Sequence, residues 1–273
     1  MELGWVDGRN IIAEWRYADT RPERLAVLAA ELVQQKVAVI VASGAACINA
    51  VRAVTTTIPI IAIGGADPVA VGWAQSLSRP GGNTTGFTVT VPVLGPKHLE
   101  LFKAAVPGHR RMAVMFSPSD FNLKFNRLIL QSGAQALGLD LQWLEVGAPA
   151  DFEPALALAR QGRAQGLYAP GTNLIVTHRR PLAEQMARQR LPSISDFPLM
   201  AHAGFMLSYG ADLDALGRRA AGYVDKILSG AVAGELPFEQ PTRFELIANL
   251  TTARATGVTL PATFMLQVDR VIW

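Results

Sequence analysis

Apolar and polar positions along the chain switch repeatedly between two periods. "VAVIVA" (37–42) and "IPIIAI" (58–63) are short, unbroken apolar runs rich in β-branched residues. Such runs predict strands buried on both faces of a parallel sheet. "NIIAEWRYA" (10–18) predicts a further strand ahead of them. Between these runs Leu25, Leu28, Leu32 and Val33 fall on one face of a helix. Thr20, Pro22 and Glu23 give that helix a capping-box start. "TTGFTV" closes this first block.

A second block repeats the alternation. Strands are predicted at "RMAVMF" (111–116), "LDLQWLEV" (139–146), "GLYA" (166–169) and "PSIS" (192–195). Helices are predicted from about Asn122 to Leu137, with Gly138 behind it, from Asp151, and from Thr177 with Pro181 in its first turns. "FMLSYG" and the helix "DLDALGRRAAGYVDKILSG" follow, with Asp212 as cap and Gly230 past the end. Two sets of β-α units predict an α/β fold of two lobes. No repeat and no low-complexity linker separates them.

Composition narrows the function classes. The 273 residues are 50% hydrophobic and 17% charged, far too apolar for a disordered chain. A formal net charge of +3, without any long run of Lys or Arg, gives no nucleic-acid footprint, so no nucleic-acid partner is expected. Cys47 is the single cysteine, which excludes an internal disulfide and a Cys-rich zinc site. "MELGWVDGRN" is acidic and has no apolar core, so it does not read as a signal peptide.

In parallel α/β sheets ligands bind beyond the carboxyl ends of the strands. The residues there are "SGAA" (43–46), "GGADP" (64–68), "SPSDFN" (117–122), "PGTN" (170–173), "SDFP" (195–198) and "SYG" (208–210). They are small, hydroxylated, amide-bearing or acidic, which suits a polar ligand head. The candidate ligand contacts are Ser43, Gly44, Ala45, Gly65, Asp67, Ser117, Asn122, Pro170, Thr172, Asn173, Asp196, Ser208 and Tyr209. Phe121, Tyr168, Phe197 and Tyr209 could add an apolar wall. The same residue types also serve ordinary turns and caps. Ser117 and Ser195 could cap helices, and Asp67 before Pro68 could cap the following turn as readily as accept from a ligand amine.

Chemistry-bearing motifs are missing. There is no G-x-G-x-x-G, no G-x-x-x-x-G-K-[ST], no G-x-S-x-G and no H-E-x-x-H. His98, His109, His178 and His202 are scattered, and none has the spacing of metal ligands. Cys47, among Ala and Ile, reads as a buried small hydrophobe. The pattern is a binding protein with neither metal nor cofactor, not an enzyme.

Four strings carry a resemblance: "LGWVDGRNIIAEWRYAD", "TTTIPIIAIGGADPVAVGWAQSLSRPGGNTTGFT", "FMLSYGADLDALGRRAAGYVDKILSG" and "LPFEQPTRFELIANLTTARATGVTLP". Together they resemble the substrate-binding proteins of bacterial ABC transporters with the type I periplasmic-binding-protein fold. The resemblance implies two doubly wound three-layer α/β/α lobes, 1–93 with 210–237 and 94–209 with 238–273, closing on one small molecule in the inter-lobe cleft. It places "FELIANL" in the second lobe. It further implies an ABC permease as partner and a periplasmic or extracytoplasmic, lipid-anchored full-length form. Asp67, Ser117, Asn122, Thr172, Asp196 and Tyr209 fall at positions that line the cleft in similar proteins.

One departure stands out. Relatives carry a further strand and helix ahead of "LGW", so the first lobe is expected to lack its N-terminal strand. A vacant slot leaves backbone groups unpaired and invites a homodimer by strand exchange. The solute is expected to be an amino acid or an aromatic carboxylate. Two other readings share the two-lobed plan. They are the ligand-sensing core of a regulator and a racemase or isomerase, which would need a paired acid and base in the cleft.

Overall fold

The computed structural model describes residues 3–19, 21–64, 67–88, 94–118 and 123–273. After a 3-10 turn at Pro22–Arg24 come α1 (Leu25–Gln34), β1 (Ile40–Ser43), α2 (Ala45–Val54), β2 (Ile60–Ile63) and β3 (Thr84–Phe87). Then follow α3 (Leu94–Ala105), β4 (Arg111–Phe116), α4 (Leu123–Leu137), β5 (Asp140–Glu145), α5 (Phe152–Gln161) and β6 (Leu167–Tyr168). Next are α6 (Asn173–Thr177), α7 (Arg179–Arg188), β7 (Ser193–Ser195), α8 (Pro198–His202), β8 (Leu207–Ala211) and α9 (Leu213–Leu228). The chain ends with β9 (Phe238–Glu239), β10 (Phe244–Asn249), α10 (Leu250–Ala255), α11 (Ala262–Met265) and β11 (Arg270–Ile272).

Two compact units result, Met1–Val91 with Leu213–Thr242 and Pro92–Asp212 with Arg243–Trp273. The first unit holds a parallel sheet in the order β1-β2-β3-β9. Phe238 and Glu239 pair with Gly86 and Phe87, so the chain stays in this unit to Thr242, a few residues beyond the Pro237 boundary that the family resemblance implies. Ile40, Ala42, Ile60 and Ala62 pack against Ile48 and Val51 of α2. On the other face α9 covers β2 and β3 with the stripe Leu216, Ala220, Tyr223 and Ile227. The Tyr223 and Phe87 rings lie 4.8 Å apart there.

β1 is an edge among the described residues. Its Ile40 N–H donates to Pro59 and the next residue after the strand, Gly44, donates to Ile63. In a parallel ladder this turns the backbone groups of Val41 and Ser43 away from β2. Val41 is 49% exposed.

The segment 10–18 is not a strand. Its one bridge is Asp7 with Ile11, and Ile12, Trp15 and Tyr17 are 78%, 69% and 65% exposed. Alternation marks a segment able to form a strand, but the ladder needs a neighbour, and none of the described strands pairs with it. Arg16 instead holds the segment to α1 through Glu31, at 2.9 Å. Thr20 lies outside the described residues, and no described side chain caps the turn at Pro22.

The second unit holds a mixed sheet in the order β11-β10-β8-β7-β6-β4-β5, with β8 and β10 antiparallel and the other pairs parallel. Both faces are covered. Met112 and Val114 of β4 face Leu99 and Phe102 of α3, Leu130 of α4 and Phe264 of α11. Ala113 and Met115 face Phe152 and Leu156 of α5 and Leu182 and Met186 of α7. Such burial is worth about 1.5–3 kcal/mol per large apolar side chain. Gly138, at φ +63, ends α4 as its position suggests, and Leu139 donates back to Ala134 at 2.8 Å. The helix expected from Thr177 is two pieces that break at His178. Pro181 has no N–H for the Thr177 carbonyl, so the ladder restarts as α7. No helix among the described residues is long and apolar enough to cross a membrane.

Gly86 is the tightest point of the first sheet. Its φ is +141, and a Cβ there would lie 2.0 Å from the Ala62 carbonyl oxygen of the neighbouring strand. Gly86→Ala is expected to destabilise the first unit by about 3 kcal/mol or more, the upper range for forced overpacking. Chemical denaturation should show a lower midpoint; an unchanged midpoint would contradict this geometry.

Candidate functional site

Strand ends of the first unit carry backbone turns. Gly44 bridges β1 and α2 at φ +86, and its carbonyl receives the Ile48 N–H at 3.0 Å. Ser43 is exposed and Ala45 half-buried beside it. Gly65 lies outside the described residues. Asp67 is exposed, and its Oδ1 accepts the N–H groups of Val69 at 2.9 Å and Ala70 at 3.3 Å. Asp67 therefore caps the turn that follows it. That turn is anchored by Arg52, which donates to Thr84 Oγ1 at 2.7 Å and to the Gly72 carbonyl at 2.8 Å. Trp73 is buried and donates to Asn49, so it is a core residue. Cys47 is half-buried, and burial pushes its thiol pKa up, away from reactivity.

In the second unit β4, β6, β7 and β8 run parallel, so their carboxyl ends share one edge. Asp196 stands just past β7 with its carboxylate 27% exposed. Its Oδ1 accepts from the Tyr168 hydroxyl at 2.7 Å, and its Oδ2 accepts from the Gly171 N–H at 2.9 Å. Tyr168 is buried, and burial, then the Asp196 charge, raise its pKa well above the ordinary value. Its hydroxyl accordingly stays a donor. The carboxyl group lies beside the rings of Tyr168 and Tyr209, with lone pairs to spare beyond these two bonds.

Steric constraints hold Asp196 in place. A Cβ on Gly210 would lie 1.6 Å from the Asp196 carbonyl oxygen, and one on Gly171 would lie 2.3 Å from the Phe197 ring. Only glycine fits at Gly210, where the neighbour is main chain, while a side chain at residue 171 would have to displace the Phe197 ring.

His98 is the residue that sequence pattern leaves unassigned. It is 1% exposed, on α3. Its Nε2 sits 2.6 Å from the Tyr209 carbonyl and 3.5 Å from Asp196 Oδ1. A carbonyl only accepts, so Nε2 carries a proton. Nδ1 is buried and has no hydrogen-bond partner among the described residues. The imidazole stacks on Tyr168 at 5.1 Å and meets Tyr209 edge-on at 5.9 Å. The signal in the sequence was the spacing Leu94, His98, Leu101, Phe102, Ala105, a histidine inside an apolar helical stripe.

Asp196 and Tyr209 are thus brought together, with Tyr168 and the Pro170–Gly171 turn. Thr172 is engaged as the cap of α6, its hydroxyl accepting from Ile175 N–H at 3.3 Å, and Asn173 is exposed beyond it. Ser117 is buried at the end of β4, while Phe121 and Asn122 lie outside the described residues. Ser208 is buried on the sheet face opposite Tyr209, since neighbours in a strand alternate, and its Oγ has no partner among the described residues. Ser195 caps no helix; its Oγ donates to the Ala169 carbonyl at 2.5 Å and ties β7 to β6. Among the described residues no three His, Cys, Asp or Glu side chains are grouped to hold a metal ion.

Residues 1–272 match the sequence model of the family described as ABC transporter substrate binding protein. The chain is 27% identical over 255 residues to the tyrosine-binding protein of Clostridioides difficile, covering 93% of this chain and 73% of that one. A conserved domain protein from Vibrio cholerae superimposes with a TM-score of 0.87 at 24% identity, over 98% of this chain and 90% of that one. The ABC domain from Streptococcus pneumonia in complex with L-Trp gives 0.80 at 20% identity, over 92% and 86%. At these identities the two structures establish the fold, a two-lobed periplasmic-binding-protein type.

The capping role of Asp67 makes a separable expectation. Asp67→Ala should lower unfolding free energy by about 1 kcal/mol, the usual cost of a lost cap, whereas Asp67→Ser should restore most of it. Denaturation of both variants checks this; equal losses would show that the two N–H bonds contribute nothing.

Proposed function

Because the chain belongs to the ABC transporter substrate binding protein family, whose members are extracytoplasmic, non-enzymatic carriers, we propose that it captures an amino acid with an aromatic side chain and delivers it to a membrane permease. The observation that carries this reading is the Asp196 carboxylate, partly exposed at a strand end and held by Tyr168 and Gly171. A fixed carboxylate with unused lone pairs is the natural partner for a ligand ammonium group. Tyr209 and Phe197, half-buried beside it, offer ring surface to an aromatic side chain. Similarity to a tyrosine-binding protein supports the same class of solute.

The test is a calorimetric and thermal-shift comparison of tyrosine, phenylalanine and tryptophan with the corresponding acids that lack the amine. A binding amino acid at a hundred times its dissociation constant should add about 2.7 kcal/mol of stability. Asp196→Asn keeps the shape and removes the charge. It is expected to weaken amino-acid binding by about ten- to a hundredfold, the worth of a hydrogen bond to a charged group. No stabilisation by any amino acid would remove this solute class.

A further inference from the structure

We propose that His98 is a positioning residue for Asp196 and thereby sets the preference of the site for solutes that carry an amine. The proposal rests on the reading that Asp196 receives that amine.

A buried imidazole with one nitrogen unpartnered among the described residues is a poor choice for packing alone. Burying Nδ1 unpaired costs free energy that leucine or methionine in the same stripe would avoid. The nitrogen that is used makes two approaches, to the Tyr209 carbonyl at 2.6 Å and to Asp196 Oδ1 at 3.5 Å. One N–H thus faces β8 and the turn after β7 together.

Its second contribution is to the two oxygens of Asp196. Oδ1 already receives the Tyr168 hydroxyl, and His98 Nε2 approaches the same oxygen. Among the described residues Oδ2 receives the Gly171 N–H alone. A carboxylate oxygen offers two lone pairs, and with His98 Nε2 standing beside Oδ1, Oδ2 is the less crowded oxygen for a solute amine. The stacked imidazole also limits the tilt of the Tyr168 ring, and so the direction from which its hydroxyl meets Oδ1. Without His98 nothing from α3 would stand beside Oδ1, and the carboxylate could rotate and divide its oxygens differently between Tyr168 and Gly171.

The experiment compares affinity for tyrosine with affinity for its amine-free counterpart, 3-(4-hydroxyphenyl)propionate, in the full chain and in three variants. His98→Leu removes the donor at similar volume. His98→Gln places an amide N–H near the Nε2 position, and His98→Asn places one near Nδ1 only. The expected result is a preference for tyrosine that falls at least about tenfold in His98→Leu and His98→Asn and is largely retained in His98→Gln, with affinity for the propionate nearly constant. Should His98→Leu fail to fold, the contrast between His98→Gln and His98→Asn decides alone. Equal loss for both ligands in step with thermal midpoint would reduce His98 to a structural residue and overturn the proposal. An unchanged preference in all variants would overturn it too while leaving the role of Asp196 intact. A wild-type protein with no preference for the amine would remove the reading of Asp196 and this proposal with it.

Discussion

A parallel ladder cannot be closed by a tight turn; each strand must be followed by a crossover that returns the chain to the starting edge. That single constraint organises the second unit. β4, β6, β7 and β8 all run the same way, so the residues following them are delivered to one edge although they are up to a hundred positions apart in sequence. Tyr168 closes β6, Asp196 follows β7 and Tyr209 lies in β8, and parallel register sets them side by side. The first unit obeys the same rule with fewer strands, and glycines at positive φ, Gly44 and Gly64, follow β1 and β2.

Placement alone would leave Asp196 a half-exposed acid in a loop. Its behaviour comes from what surrounds it. A hydroxyl and a backbone N–H fix its two oxygens, and a tyrosine forced to stay protonated by burial supplies the first of them. In a poorly solvated setting such bonds are stronger than in water, and each orphaned group costs more. Nδ1 of His98, buried with no partner among the described residues, is the visible cost in this network.

Much of this was legible in the residues. "RMAVMF" corresponds to β4 and Gly138 to the stop of α4, because continuous β-branched or apolar runs and a left-handed glycine carry their meaning locally. "NIIAEWRYA" shows the limit, since a strand depends on a neighbour that its own sequence does not encode. At the site, Asp196 was readable as a strand-end residue; Ser208 and Tyr209, read as lying past a strand, are inside β8, and the face each occupies depends on register. His98 could be seen as an oddity in an apolar stripe. Its meeting with residues 168, 196 and 209 could not, since that contact is made by α3 packing on a sheet built later in the chain.

The two bare backbones at Gly171 and Gly210 have a bearing on how such a carrier diversifies. Gly171 gives the carboxylate a main-chain N–H, and Gly210 lets the backbone of the same turn approach β8 closely. Phe197 and Tyr209, by contrast, touch their surroundings through exchangeable rings. On the proposed function, a solute's common head and its variable tail would meet different kinds of atoms. A lineage could drift from one amino acid to another through the rings alone, keeping its grip on the feature all of them share.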